Sequence, residues 1–230
     1  MTADGSSAAA DPYAQARQRM VQEQLVRRGI RDEATLAAMG VVPRERFVPA
    51  ELKRRAYHDG ALAIGHGQTI SQPYIVALMT QALALGEQGW PWKEGGPRVL
   101  DIGTGSGYQA AVLAELGARV ISIERDPELA AEASRRLESL GYDVQVTIGD
   151  GSEGAAGHGP YAGIVVAAAA PEIPEPLGAQ LAEGARLVIP VGPRERQRLM
   201  VLKRVGERFE RADLDDCVFV PLVGRHGFRD

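Results

Sequence analysis

The sequence predicts an α/β protein: a mostly parallel sheet flanked by helices, with an N-terminal helical extension and an antiparallel C-terminal edge. From residue 97 onward, short apolar strand patterns alternate with helical ones, which implies crossover helices joining parallel strands. The run Val99-Leu100-Asp101-Ile102-Gly103-Thr104-Gly105-Ser106-Gly107-Tyr108 reads as a buried strand breaking into a glycine turn that opens a helix. At 230 residues and 45% hydrophobic content, the chain can bury one large core, and a second independent domain is not expected.

Taken in order, residues 1–12 read as a disordered tail, with neither the basic segment nor the apolar core of a signal peptide. Residues 13–96 form an N-terminal helical subdomain. Within it, 13–28 is a helix stopped by Gly29, and Asp32 caps a second that ends near Gly40. Pro43 and Pro49 bracket a turn-rich piece, and Pro73 opens a helix over 74–85, where its missing N–H costs little. Residues 86–97, with their Gly, Trp and Pro, connect to the core at 97–230.

In that core a helix follows the glycine turn through Leu116, a second strand covers 119–124, and Asp126-Pro127 starts the next helix. Further strands are expected at 144–148, 162–168 and 186–191, with a short helix running to Ala182. Residues 199–205 and 213–221 would form the antiparallel edge. The alanines at 167–170 read as a strand end facing the site, where small residues leave space for substrate.

The glycine pattern alone is ambiguous in a chain with 27 glycines. The acids around it narrow the reading. Asp101 precedes the turn, Glu124 ends the next strand, and Asp150 lies between Gly149 and Gly151 after the third. Carboxylates repel phosphate, but Asp101 suits a cationic amino-acid-like group, Glu124 suits ribose hydroxyls, and Asp150 can reach an adenine amino group. Each also has a plain reading as a strand-end acid. Together they favour a phosphate-free cofactor such as S-adenosylmethionine over NAD or ATP. A nicotinamide enzyme is weaker still, because the third glycine comes one position early for G-x-G-x-x-G.

A formal charge of −4 argues against nucleic acid as partner. The short basic clusters at 53–55 and 194–198 read as solvated faces. The single cysteine, Cys217, excludes an intrachain disulfide and suits a reducing compartment, and its apolar neighbours point to packing rather than nucleophilic chemistry. His58, His66, His158 and His226 show no metal-ligand spacing, so no metal is expected. No apolar stretch is long enough to span a membrane, and a cytoplasmic location is expected.

Outside the cofactor half, Ile64-Gly65-His66-Gly67-Gln68-Thr69-Ile70-Ser71-Gln72-Pro73 is the most unusual segment. Ser71 could cap the following helix, or the loop could fold over the cofactor site and offer hydroxyls and N–H groups to a substrate carboxylate.

Several stretches together carry a family resemblance: Arg27-Arg28-Gly29-Ile30, Pro43-Arg44-Glu45-Arg46-Phe47-Val48-Pro49, residues 64–77 and 99–114, Gly149-Asp150-Gly151, and Phe219-Val220-Pro221-Leu222. From about residue 17 to 223 the chain resembles the protein-L-isoaspartate (D-aspartate) O-methyltransferases, and Gly67 to Pro73 is close to diagnostic. The resemblance implies a Rossmann-like, S-adenosylmethionine-dependent enzyme acting on damaged proteins and peptides that contain isoaspartyl residues, expected as a monomer. It implies cofactor contacts at Asp101, Gly103, Thr104, Gly105, Ser106, Gly107, Glu124, Arg125, Asp150 and Gly151. It places the active-site serine at Ser71, beside the substrate carboxyl, with further substrate contacts at Ile64, Gly65, Thr69, Ile70, Gln72 and Val220. The family usually has Glu at position 101, often Asp at 162 and often Thr at 167, where this chain has Asp101, Ala162 and Ala167.

The missing residue types fit this chemistry. A free carboxylic acid, with an ordinary pKa near ~3.9, is already ionised at neutral pH and needs no basic side chain to activate it. Two other classes stay open on sequence: a carboxyl methyltransferase dedicated to one peptide or small molecule, and a cofactor-binding protein without turnover.

Overall fold

The computed structural model describes residues 11–86 and 96–229. The tail expected at 1–12 and the connector at 86–97 therefore lie almost wholly outside the described residues. Seven strands form the main sheet: β3 (Arg98–Ile102), β4 (Arg119–Glu124), β5 (Val144–Ile148), β6 (Tyr161–Val166), β7 (Leu181–Val191), β8 (Gln197–Val205) and β9 (Arg208–Cys217). Their order across the sheet is β5-β4-β3-β6-β7-β8-β9. The first five are parallel, and β8 and β9 pair antiparallel at one edge.

The parallel strands are apolar on both faces because both faces are covered. Alternation along β3 sends Val99 into one hydrophobic core and Leu100 and Ile102 into the other. Helices α4 (Tyr108–Glu115) and α5 (Pro127–Ser139) make the crossovers after β3 and β4. The carboxylate of Asp126 caps α5, accepting from the main-chain N–H groups of Glu128 and Leu129 at 2.9 and 3.2 Å. Leu129, Ala133 and Leu137 then form its buried stripe. A short helix, α6 (Glu175–Ala179), precedes β7.

The N-terminal segment packs into the same core as the sheet, with Met20, Leu25, Ile30 and Met39 joining Val99 and Val120. Its first helix begins as α1 (Ala14–Arg19), widens to a π-helical stretch at Met20–Leu25, tightens at Val26–Arg28 and stops at Gly29, whose φ is +96°. The expected cap of α2 (Glu33–Val41) is present, with the Asp32 carboxylate accepting from Thr35 N–H at 2.9 Å. Helix α3 (Pro73–Ala82) carries Pro73 in its first turn, as expected, and ends a few residues before Leu85.

Three expectations are corrected. The helix expected to run to Ala182 stops at Ala179, and β7 begins at Leu181 rather than at 186. The 64–73 segment is not a plain loop: β1 (Leu62–Gly65) and β2 (Gln68–Ile70) form an antiparallel hairpin, turning through His66 and Gly67 at φ +52° and +67°. The last strand covers Arg208–Cys217 rather than 213–221, so residues 218–222 lie outside it. They instead run alongside the end of β6, where Ala169 N–H donates to Val220 O at 2.8 Å and Leu222 N–H donates to Ala169 O at 2.7 Å. Among the described residues no helix is long and apolar enough to cross a membrane.

Candidate active site

Strand order reverses at β3, whose neighbours β4 and β6 lead to opposite halves of the sheet. A crevice opens beyond the carboxyl ends of strands at such a point. Here it is a cleft of about 860 Å³, counting its open mouth. Its floor is the glycine turn. Gly103, Gly105 and Gly107 all have positive φ, at +88°, +52° and +89°, a region that disfavours other residues. Gly103, Thr104, Gly105 and Ser106 line the cleft, whereas Gly107 stands behind it as the N-cap of α4, facing Leu137.

Glu124, at the end of β4, is buried and lines the cleft. Its Oε2 accepts from Gly105 N–H at 2.9 Å, and Oε1 accepts from the N–H groups of Arg125 and Asp126 at 2.8 and 3.1 Å. The carboxylate therefore braces the turn and retains a lone pair on Oε2 for a further donor. Arg125 and Gly151 also border the space. A Cβ on Gly151 would lie 2.4 Å from Ile102 Cγ2, so glycine is what lets this wall close on the sheet.

Like Gly107, the two acids predicted as cofactor contacts at Asp101 and Asp150 do not face the cleft. Asp101 is fully buried beneath the turn, because sheet register sets it opposite Ser122. Ser122 Oγ donates to its Oδ2 at 2.6 Å and lies 2.6 Å from Thr104 Oγ1, while Asp101 Oδ1 has no partner. When Asp101 is ionised it accepts the Ser122 hydrogen bond, so Thr104 donates to Ser122 and its own oxygen is left as an acceptor. The acid thus reaches the cleft through two hydroxyls. Asp150 also stands back from the cleft. It caps the turn at Gly151–Glu153, accepting from the Ser152 N–H and hydroxyl at 2.9 and 2.7 Å and from Arg225 N–H at 2.7 Å. Burial raises its pKa, but these hydrogen bonds outweigh burial and leave it below the ordinary value.

Burial pushes the Asp101 carboxyl up to about 7, against the Ser122 hydrogen bond and with help from the Glu124 charge. A carboxyl raised on folding contributes stability that is full below its ordinary value of 3.8 and is lost as pH rises to about 7. Asp101→Asn should remove this slope. In paired denaturant titrations, the variant should gain stability relative to the parent as pH rises through that window, and parallel profiles would contradict the assignment.

The hairpin forms the opposite wall, with Thr69, Ile70 and Ser71 lining the cleft. Ile64 and Gly65 do not line it, although Ile64 Cδ1 would stand 3.7 Å from a Cβ on Gly105, so the hairpin lies over the glycine turn. Ser71 does not cap α3: the N-cap is Gln72, and no side chain caps that end. The hydroxyl is thereby left to the cleft.

A second cleft, about 640 Å³, adjoins the first and is bordered by Gln72, Ile75, Val218 and Phe219. Thr69, Ser71, Ala167 and Val220 line both. The expectation that small residues face the site is met at Ala167 and Ala168. Cys217 borders the second cleft, but burial, followed by Asp215 and Asp216, pushes its thiol up to about 11, which does not suit a nucleophile. Sequence reading missed the apolar walls, Val76, Met79, Ile102 and Leu222, whose pattern is that of any core residue. It also missed Ser122, whose only signal is its pairing opposite Asp101.

The cleft suits S-adenosylmethionine: glycine backbone and Glu124 on one side, apolar side chains on the other, and a glycine at 151 where a Cβ would collide with Ile102.

Residues 15–227 match the family profile described as Protein-L-isoaspartate(D-aspartate) O-methyltransferase (PCMT). A protein-L-isoaspartate O-methyltransferase of Methanoculleus marisnigri is 51% identical over 96% of this chain and 97% of its own length. That of Methylorubrum populi is 54% identical over 90% of this chain and 95% of its own. Among solved structures, a protein-L-isoaspartate O-methyltransferase superposes with a TM-score of 0.80 at 29% identity, covering 92% of this chain and 67% of that one. A Plasmodium falciparum chain assigned to the same activity and solved with S-adenosyl-L-homocysteine gives 0.74 at 25% identity, covering 90% and 98%. The chain belongs to the protein-L-isoaspartate(D-aspartate) O-methyltransferase family.

Proposed function

We infer that this protein transfers a methyl group from S-adenosylmethionine to the α-carboxyl of L-isoaspartyl residues, and to the side-chain β-carboxyl of D-aspartyl residues, in damaged peptides and proteins. The observation that carries the reading is the common wall of the two clefts, at Thr69, Ser71, Ala167 and Val220. A cofactor in the first and an extended peptide in the second would meet there.

The residues divide the work accordingly. Glu124 takes the ribose hydroxyls, and the turn from Gly103 to Gly107 receives the amino-acid end of the cofactor, with Thr104 offering lone pairs to its ammonium group. Bound there, the cofactor supplies an electrophilic methyl on a sulfonium centre. Ser71 and Thr69 hold the acceptor carboxylate by hydrogen bonds, and Ile64, Ile70 and Val220 shape its surroundings. Ser71 is an orienting group and not a nucleophile. The acceptor is already ionised, so catalysis rests on alignment and exclusion of water, effects worth about 7–11 kcal/mol in well-oriented systems.

The ester then leaves, and the next main-chain nitrogen attacks its carbonyl, expelling methanol and giving a succinimide that reopens partly to aspartate. This last stage needs no enzyme. The reading extends to a cytoplasmic monomer in which residues 13–96 contribute the substrate wall and 97–230 the cofactor half. It takes protein segments as partners in preference to nucleic acid or membrane.

Incubation of an isoaspartyl peptide with the protein and S-adenosylmethionine should yield methyl ester, then succinimide, then a growing aspartyl fraction over repeated cycles. Chromatography with mass detection follows each species. An isoaspartyl peptide that stays unmethylated would overturn the reading.

A further inference from the structure

Arg44 is fully buried, on a turn far from the glycine motif in sequence. Its Nε donates to Ala56 O at 2.7 Å, and its Nη2 donates to Ser71 O at 2.6 Å. The guanidinium lies over the Tyr108 ring, 4.8 Å from the centroid, and among the described residues the Tyr108 hydroxyl is the one further polar group that acts on it as a hydrogen-bond partner. Its neighbour Glu45 is engaged elsewhere, accepting from Tyr57 Oη at 2.5 Å and from Arg17 Nη2 at 3.5 Å. Among the described residues no carboxylate pairs with Arg44.

A buried charge without a counter-ion is among the costliest features a fold can keep. Burial pulls the guanidinium below its ordinary pKa, with Tyr108 and Tyr57 acting the other way, yet an arginine stays charged. Hydrogen bonding to two carbonyls needs N–H donors but not a charge, so it does not by itself account for the charge of the guanidinium. Its position does: it grips the main chain of the serine shared by both clefts and stacks on Tyr108, which lines the cofactor cleft.

We propose that Arg44 is a positioning residue for carboxyl recognition, fixing the Ser71 main chain and supplying the buried positive charge that draws the acceptor carboxylate to that serine. The inference rests on the reading of Ser71 given above. Methylation erases the acceptor's negative charge, so the field that favours the substrate does not favour the neutral ester. Arg44 thereby separates substrate from product without any residue moving. Because the attraction acts on the ground-state anion, its loss falls on KM more than on kcat.

The test uses two peptides identical except that one carries the isoaspartyl α-carboxylate and the other its neutral carboxamide. Affinity for each is measured with S-adenosyl-L-homocysteine present. The parent protein should prefer the carboxylate by about tenfold or more, as a charge-assisted contact implies. Arg44→Gln should bring the two peptides near parity and raise KM with a smaller change in kcat, binding being measured at saturating S-adenosyl-L-homocysteine and kinetics at saturating S-adenosylmethionine. Arg44→Lys should keep part of the preference. A preference intact in Arg44→Gln, or abolished in a folded Arg44→Lys, overturns the proposal. So does a parent protein that binds both peptides equally, a result that stands whether or not Arg44→Gln folds. A parent protein that fails to methylate the isoaspartyl peptide would instead overturn the repair reading itself.

Discussion

Replacing Glu124 with alanine is expected to weaken S-adenosyl-L-homocysteine binding by about two orders of magnitude, measured by calorimetry. Two losses combine. The carboxylate no longer accepts from ribose hydroxyls, a charge-assisted contact of about 1.5–3 kcal/mol. The N–H groups of Gly105, Arg125 and Asp126 also lose their common acceptor, which loosens the turn that forms the cleft floor. Glu124→Gln should recover only part of this affinity, because an amide whose carbonyl keeps the N–H groups of Arg125 and Asp126 presents its NH2 donor to the N–H of Gly105 and carries no charge for the ribose hydroxyls. An alanine variant that binds as tightly as the parent would remove Glu124 from the cofactor site.

Ser71→Ala should lower kcat/KM for an isoaspartyl peptide by roughly ten- to a hundredfold, the effect of losing one hydrogen bond to a charged group. Cofactor affinity should hold. The main-chain contact from Arg44 involves the Ser71 carbonyl and survives the substitution, so the hairpin keeps its place. Since no side chain caps α3, stability should change little. Undiminished methyl transfer with intact cofactor binding would show that the hydroxyl does not orient the acceptor.

What the sequence makes legible is what local chemistry dictates. A glycine triplet after an apolar run signals a positive-φ turn because few other residues tolerate that conformation, and all three glycines adopt it. Asp32, Pro73 and Gly29 mark helix ends for equally local reasons. The hairpin is hidden because its strands are only four and three residues long, too short for a burial alternation to mark them, although Gly65 and Gly67 both take positive φ at its turn. The last strand is shifted because β9 is an edge exposed on nearly all its length, so no burial alternation marks its limits.

In the site, the order of the acids is legible but their direction is not. Asp101 and Glu124 both belong to strand ends, yet one lies opposite Ser122 inside the sheet and the other emerges at the turn. Asp150 is drawn away by Arg225, a contact across the chain that no local pattern encodes. Arg44 is further removed still. Its importance arises only when the fold brings the carbonyls of Ala56 and Ser71 to one guanidinium.

The most direct measurement is methyl transfer to two synthetic peptides of one sequence, differing only in an isoaspartyl or an aspartyl linkage. The isoaspartyl pendant carboxylate is one methylene closer to the main chain, and a wall set by Ser71, Ala167 and Val220 should register that difference. Efficient labelling of the isoaspartyl peptide, with the aspartyl twin at background, is the predicted result. Equal labelling of both, or of neither, would contradict it.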